Sequence, residues 1–99
     1  MPQILRTRQS QADYASIFDF IAADSPQNAE MIIRLFDEKL EILSCNNTIG
    51  RPRSELGHQV RCWNVHRFIL FYRPVDDGII LLRVLHSSMD ITKQYFLSV

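Results

Sequence analysis

The 99-residue sequence has no apolar run that could cross a bilayer: its longest, residues 68–72, covers five positions where a spanning helix needs about 20. Its start, Met1-Pro2-Gln3-Ile4-Leu5-Arg6, lacks the apolar centre of a secretory signal, so a cytoplasmic protein is expected. Cysteine is scarce. Cys45 and Cys62 are too few for a disulfide scaffold and form no zinc pattern with His58, His66 and His86, so no metal or other cofactor is expected and both read as ordinary thiols. Three glycines leave no glycine-rich phosphate loop. Net charge is absent too. Eleven basic groups cancel eleven acidic ones, which excludes a uniform basic coat for nonspecific nucleic-acid binding. With 46% apolar residues and ten aromatics the chain has enough to bury, so it folds, and at this length as one domain over residues 1–99. The zero is nonetheless a sum of opposites: residues 1–45 carry four basic and seven acidic groups, residues 46–99 seven and four.

Periodicity divides the chain. Residues 4–8 read as a short strand ending at Gln9-Ser10. Ser10 then suits a helix cap with Asp13 as capping-box partner, and Tyr14, Ile17, Phe18, Ile21 and Ala22 form a helical stripe. Ser25-Pro26 starts a second helix, whose stripe runs through Ala29, Ile32, Ile33, Phe36, Leu40 and Leu43 to a stop at Cys45-Asn46-Asn47. The short link predicts an antiparallel helical hairpin. Residues 46–57 read as a connecting loop, and beyond it the period turns strand-like: residues 59–63, a turn at 64–66, residues 67–73, a turn at 74–78 carrying Asp77-Gly78, and residues 79–86. The result is an α+β two-layer domain in which an N-terminal strand and a three-stranded antiparallel meander are covered on one face by the hairpin.

The residues that stand out are polar groups set among apolar strands, Arg61, Arg73, Arg83 and His86, with Trp63 beside them and Arg51 and Arg53 in the preceding loop. The plain reading of each arginine is an exposed position or an ion pair with an acid such as Glu55 or Asp90. The sharper one is convergence: if Arg61 and Arg83 flank one central strand and face the same way, they form a carboxylate or phosphate site. His86, at a strand end, reads first as structural, although imidazole can serve as a general acid or base. Nothing in the order of Ser, His, Cys and Asp suggests a nucleophilic triad.

The run Gly50-Arg51-Pro52-Arg53-Ser54-Glu55-Leu56, then Val60-Arg61, then Phe68-Ile69-Leu70-Phe71-Tyr72-Arg73, then Arg83-Val84-Leu85-His86-Ser87-Ser88-Met89-Asp90-Ile91 resembles the RelE/ParE toxin superfamily of type II toxin-antitoxin modules. The most specific piece, Arg83 to His86 followed by Asp90, is similar to the ParE branch of plasmid-stabilisation toxins. The resemblance implies a small cytoplasmic toxin held inactive by an antitoxin encoded beside it, and the expected assembly is a homodimer or a toxin-antitoxin hetero-oligomer. It implies two alternatives for the target. A ParE-like toxin poisons DNA gyrase without being an enzyme itself. A RelE-like toxin is a ribosome-dependent mRNA endonuclease, and in that reading Arg61, Arg83 and His86 are the catalytic set. The sequence departs from the nuclease pattern: Ser87-Ser88-Met89 follows the last strand without a tyrosine, Lys93 and Tyr95 come later, and no lysine pair precedes Arg61. The ParE-like reading is therefore preferred, with Arg51, Arg53, Arg61, Trp63, Arg73, Arg83 and His86 as candidates for binding target or antitoxin.

Overall fold

The computed structural model describes residues 2–88. Its elements are β1 (Gln3–Arg6), α1 (Arg8–Ala22), α2 (Pro26–Cys45), β2 (Arg51–Pro52), a 3-10 turn (Ser54–Leu56), β3 (Arg61–Val65), β4 (Phe68–Val75) and β5 (Gly78–His86). The strands form one sheet in the order β1-β5-β4-β3-β2, with β1 parallel to β5 and the other neighbours antiparallel. This is the expected α+β arrangement with one strand more. Arg51 and Pro52, expected in a connecting loop, pair with Cys62 and Arg61. Two residues are too few to show alternation, and an edge strand is where the missing N–H of proline is tolerated.

The start of α1 differs from the expected Ser10 cap. Thr7 is the N-cap: its hydroxyl accepts from the Ser10 N–H at 3.0 Å and donates to the Leu82 carbonyl at 2.8 Å. One side chain thus closes the helix end and fastens it to β5, across 75 residues of sequence. Asp13, freed from capping, points elsewhere. The cap of α2 is as expected, with the Ser25 hydroxyl accepting from Asn28 and Pro26 in the first turn. The turn between β3 and β4 also moves, to His66 and Arg67, because Val65 continues the alternation into the core at 2% exposure and pairs with Phe68. His66 takes the left-handed conformation there, at φ 58°.

Helix and sheet meet over Phe36, Leu40 and Leu43 of α2 and Val65, Leu70, Tyr72, Ile79, Leu81 and Val84 of the strands. Burying a side chain such as Phe36 contributes about 1.5–3 kcal/mol. The opposite sheet face carries a second buried cluster, Leu56, Val60, Cys62, Ile69, Phe71, Leu82 and Leu85. Gly78 is demanded by close approach: a Cβ there would lie 2.7 Å from the Gln3 backbone nitrogen, and its φ is +153°. Between Phe71 and Tyr72 the register slips, so that Phe71 faces Arg83 and Tyr72 faces Leu81, leaving Leu82 as the extra residue of a β-bulge.

At the hairpin's edge, Tyr14 donates to Asp37 at 3.1 Å and lies under the Arg6 guanidinium, 5.1 Å from the ring centre. Burial is the main reason its phenol is pushed up to about 12. The folded chain therefore keeps this proton in a range where the unfolded chain, at about 10, has lost it. Stability is fully retained below about pH 9 and falls as pH rises from about 10 toward 12. Urea midpoints at pH 8 and 11 are expected to differ less in Tyr14→Phe than in the parent; an equal drop in both would contradict this assignment.

Candidate functional site

Arg61 and Arg83 do flank one central strand, β4, but the structure does not bring their guanidiniums together. Arg61 sits opposite Tyr72 and its Nη1 donates to two carbonyls of the loop after α2, Thr48 at 2.9 Å and Gly50 at 2.6 Å. The Tyr72 hydroxyl works on the same loop, accepting from the Gly50 N–H at 2.9 Å and donating to the Asn47 carbonyl at 3.0 Å. Asn47 in turn donates to the carbonyls of Val75 and Gly78. Gly50 fits because a Cβ would come within 2.7 Å of Tyr72 Cε1. Arg61 is thus the clamp of a loop.

Arg83, across from Phe71 beside the bulge, reaches Asp13 of α1. Its Nε and Nη2 donate to the two carboxylate oxygens at 2.8 and 3.0 Å, and the Val84 N–H donates to the same carboxylate at 2.9 Å. β1 pairs with β5 only as far as Leu81, so Thr7 and Asp13 serve the Leu82 carbonyl and Val84 N–H just beyond the point where a strand partner ends. The carboxylate raises the Arg83 pKa above its ordinary value.

His86 stacks edge-on against Phe68 at 5.3 Å. Its Nδ1 accepts from the Ser88 N–H at 3.1 Å, which in the neutral ring leaves the proton on Nε2. In that tautomer Nε2 can only donate, and the lone pair a general base would use is the one Ser88 already occupies. Arg61, Arg83 and His86 thus have three separate sets of partners.

The remaining arginines share a sheet face. Arg51 lies opposite Cys62, which lies opposite Phe71; Arg53 donates its N–H to the Val60 carbonyl, one step before Arg61, and Arg73 is one step beyond Tyr72. Alternation then places Arg51, Arg53 and Arg73 on the face turned away from the helices. Arg51 is exposed, its Nη2 3.8 Å from Cys62 Sγ. Arg53 contacts Glu55 at 2.6 Å, which raises its own pKa and holds Glu55 below the usual carboxylate value. So Glu55 pairs with Arg53 rather than with Arg51 or Arg61. Arg73 Nε donates to the His58 carbonyl at 2.7 Å, while its Nη2 is buried with no hydrogen-bond partner. Trp63, half-buried, joins Ile49, Arg51, Cys62 and Asn64 around a shallow cavity of about 380 Å³ where β2 stops. Cys62 is buried and Cys45 exposed, both free. Among the described residues no cluster could hold a metal and no helix is long and apolar enough to cross a membrane. Asp90, Lys93 and Tyr95, like the whole expected tail over 90–99, lie outside the described residues.

Sequence reasoning missed Asp13, Thr7 and Asn47, whose partners lie 28 to 75 residues away. The one available signal was Asp13 itself, a carboxylate adjoining an otherwise apolar helical stripe.

The comparisons bear on the family and the fold. Residues 4–91 match the family model for the ParE toxin of the type II toxin-antitoxin system parDE. Toxin ParE3 of Caulobacter vibrioides is 25% identical over 95 residues, 95% of each chain. A chain of a chromosomal ParDE system from P. aeruginosa superposes with a TM-score of 0.71 at 22% identity, covering 87% of this chain and 96% of that one. A chain of the RelBE2 toxin-antitoxin complex from Mycobacterium tuberculosis gives 0.60 at 19%, covering 87% and 99%. These two likenesses show a shared fold. The family match over nearly the whole chain goes further: the chain belongs to the ParE toxin family of type II toxin-antitoxin systems.

Proposed function

We propose that the chain acts in the cytoplasm by protein contact, inhibiting DNA gyrase, and is neutralised by a cognate antitoxin that binds it directly. What carries the reading is the engagement of Arg61, Arg83 and His86 in three separate internal contacts. An endonuclease needs such groups converged within hydrogen-bond reach of one phosphate and one 2′-hydroxyl. Of the other candidate arginines, Arg51, Arg53 and Arg73 share a sheet face, where Arg51 is exposed and Arg53 is held by an exposed Glu55, an arrangement suited to a negatively charged partner. The same face serves an acidic antitoxin segment, which competes with the target by charge. The name of the relative, Toxin ParE3, is in line with the gyrase-directed branch.

A supercoiling assay tests it. Purified toxin is expected to inhibit gyrase and accumulate cleaved DNA, and stoichiometric antitoxin from the adjacent reading frame to restore supercoiling. Intact supercoiling together with mRNA cut in translating ribosomes would reverse the conclusion in favour of the endonuclease.

A further inference from the structure

The outer edge of β3 is a partly unpaired ladder. The Val60 carbonyl turns toward β2, where it accepts from Arg53, and antiparallel alternation turns the backbone groups of Cys62 and Asn64 to that same side. β2 ends with Arg51 opposite Cys62. No described residue stands opposite Asn64, and none hydrogen-bonds its outward N–H and C=O. The cavity of about 380 Å³ lies at this place, lined by Ile49, Arg51, Cys62, Trp63 and Asn64.

Its two sides differ in chemistry. Ile49 and Trp63 adjoin the helix-side core and offer an apolar wall. Arg51, opposite Cys62, belongs to the other face and is exposed. A helix spends its backbone groups on its own hydrogen bonds, whereas an extended chain lies along the edge and restores the missing ladder bonds. In such a chain successive side chains point to opposite faces. One residue therefore lies against Trp63 and Ile49, and the next meets Arg51.

The geometry points to the edge of β3 at Asn64 as a strand-addition site for an extended segment of a partner protein in which apolar and acidic residues alternate. It rests on the reading that this basic half of the chain meets an acidic protein segment. Affinity comes from the Asn64 backbone pair, and selectivity from the apolar wall and from Arg51.

The test uses the full chain and a synthetic hexapeptide alternating valine and aspartate, with a valine-lysine hexapeptide as comparison. In NMR titrations the acidic peptide is expected to shift Trp63, Asn64 and Arg51 saturably and to slow exchange of the Asn64 amide at least tenfold. Arg51→Glu should weaken it about tenfold. Asn64→Ala should bind normally and Asn64→Pro, which removes only an outward N–H, should not. If Asn64→Pro fails to fold, the exchange rate in the parent chain decides alone. Equal binding of the lysine peptide, or an unprotected Asn64 amide at saturation, would overturn the inference. So would protection of that amide by self-association without peptide, which would make the occupant a second copy. Neither gyrase nor antitoxin is used, so failure here leaves the supercoiling test unaffected, and the converse holds.

Discussion

Replacing Asp13 with alanine is expected to destabilise the chain by about 3 kcal/mol, a large part of the 5–15 kcal/mol available to a domain of this size. The carboxylate and the guanidinium are 14% and 24% exposed, so neither is freely solvated. Asp13 also supplies the acceptor for the Val84 N–H. Truncation leaves Arg83 without its counter-charge and one β5 donor without its ladder substitute, losses of a few kcal/mol and about 1 kcal/mol that solvent access reduces. The melting temperature should fall on the order of 15 °C. Asp13→Asn, which keeps an acceptor but not the charge, should lose about half as much. Combining Asp13→Ala with Arg83→Met should recover part of the loss, because removing a buried pair costs less than breaking it. Thermal unfolding of Asp13→Ala, Arg83→Met and the double variant checks this; additive losses would show that the pair is not coupled.

This clasp alters how charge substitutions at the sheet are to be read. Reversing Arg61 and Arg83 is the natural sequence-guided test of a basic binding site. In the folded chain Arg61 holds the Thr48 and Gly50 carbonyls and Arg83 holds Asp13, so loss of toxicity in such variants would report a damaged fold. Arg51 and Arg53 are the substitutions that separate the two effects.

The two helices, the strand order of the meander and the apolar core were legible because each rests on local periodicity. Ser25-Pro26 announces a helix start through chemistry contained in four residues, and the structure keeps it. Local pattern favours Ser10 over Thr7 as the cap because the advantage of Thr7 is its second bond, to Leu82, which no local pattern carries. The fate of Arg83 was hidden for the same reason: an arginine in a strand looks identical whether it faces solvent or a carboxylate 70 positions earlier. The Asn64 turn was misplaced because asparagine tolerates left-handed geometry, yet His66 took that conformation once Val65 was drawn into the core. Of the candidate site, the residue types and their shared half of the chain were readable. Their faces were not, since the bulge at Leu82 resets which side chains of β5 share a side.

On the proposed gyrase contact, reversing Arg51 and Arg53 together, each to glutamate, is expected to cut inhibition on the order of 100-fold while moving the melting temperature by no more than about 2 °C. The stability half follows from exposure. Arg51 is exposed, with a 3.8 Å contact to Cys62 Sγ, and the Arg53 partner Glu55 is an exposed carboxylate, so the pair is of the solvent-screened kind that adds little to stability. The Arg53 N–H that fastens the edge to Val60 is backbone and survives the change. The binding half follows from placement. Two positive groups beside β3 become two negative ones facing an anionic partner, and like charges brought together cost several kcal/mol, about 3 of which corresponds to 100-fold. The parent interaction should also weaken with added salt and the variant should lose most of that dependence, since the charges concerned are solvent-exposed. Supercoiling inhibition measured against toxin concentration at two ionic strengths reads both effects. Unchanged inhibition in a folded double variant would remove the β2 edge from the target contact and leave Arg73 as the far-face arginine to be tested next.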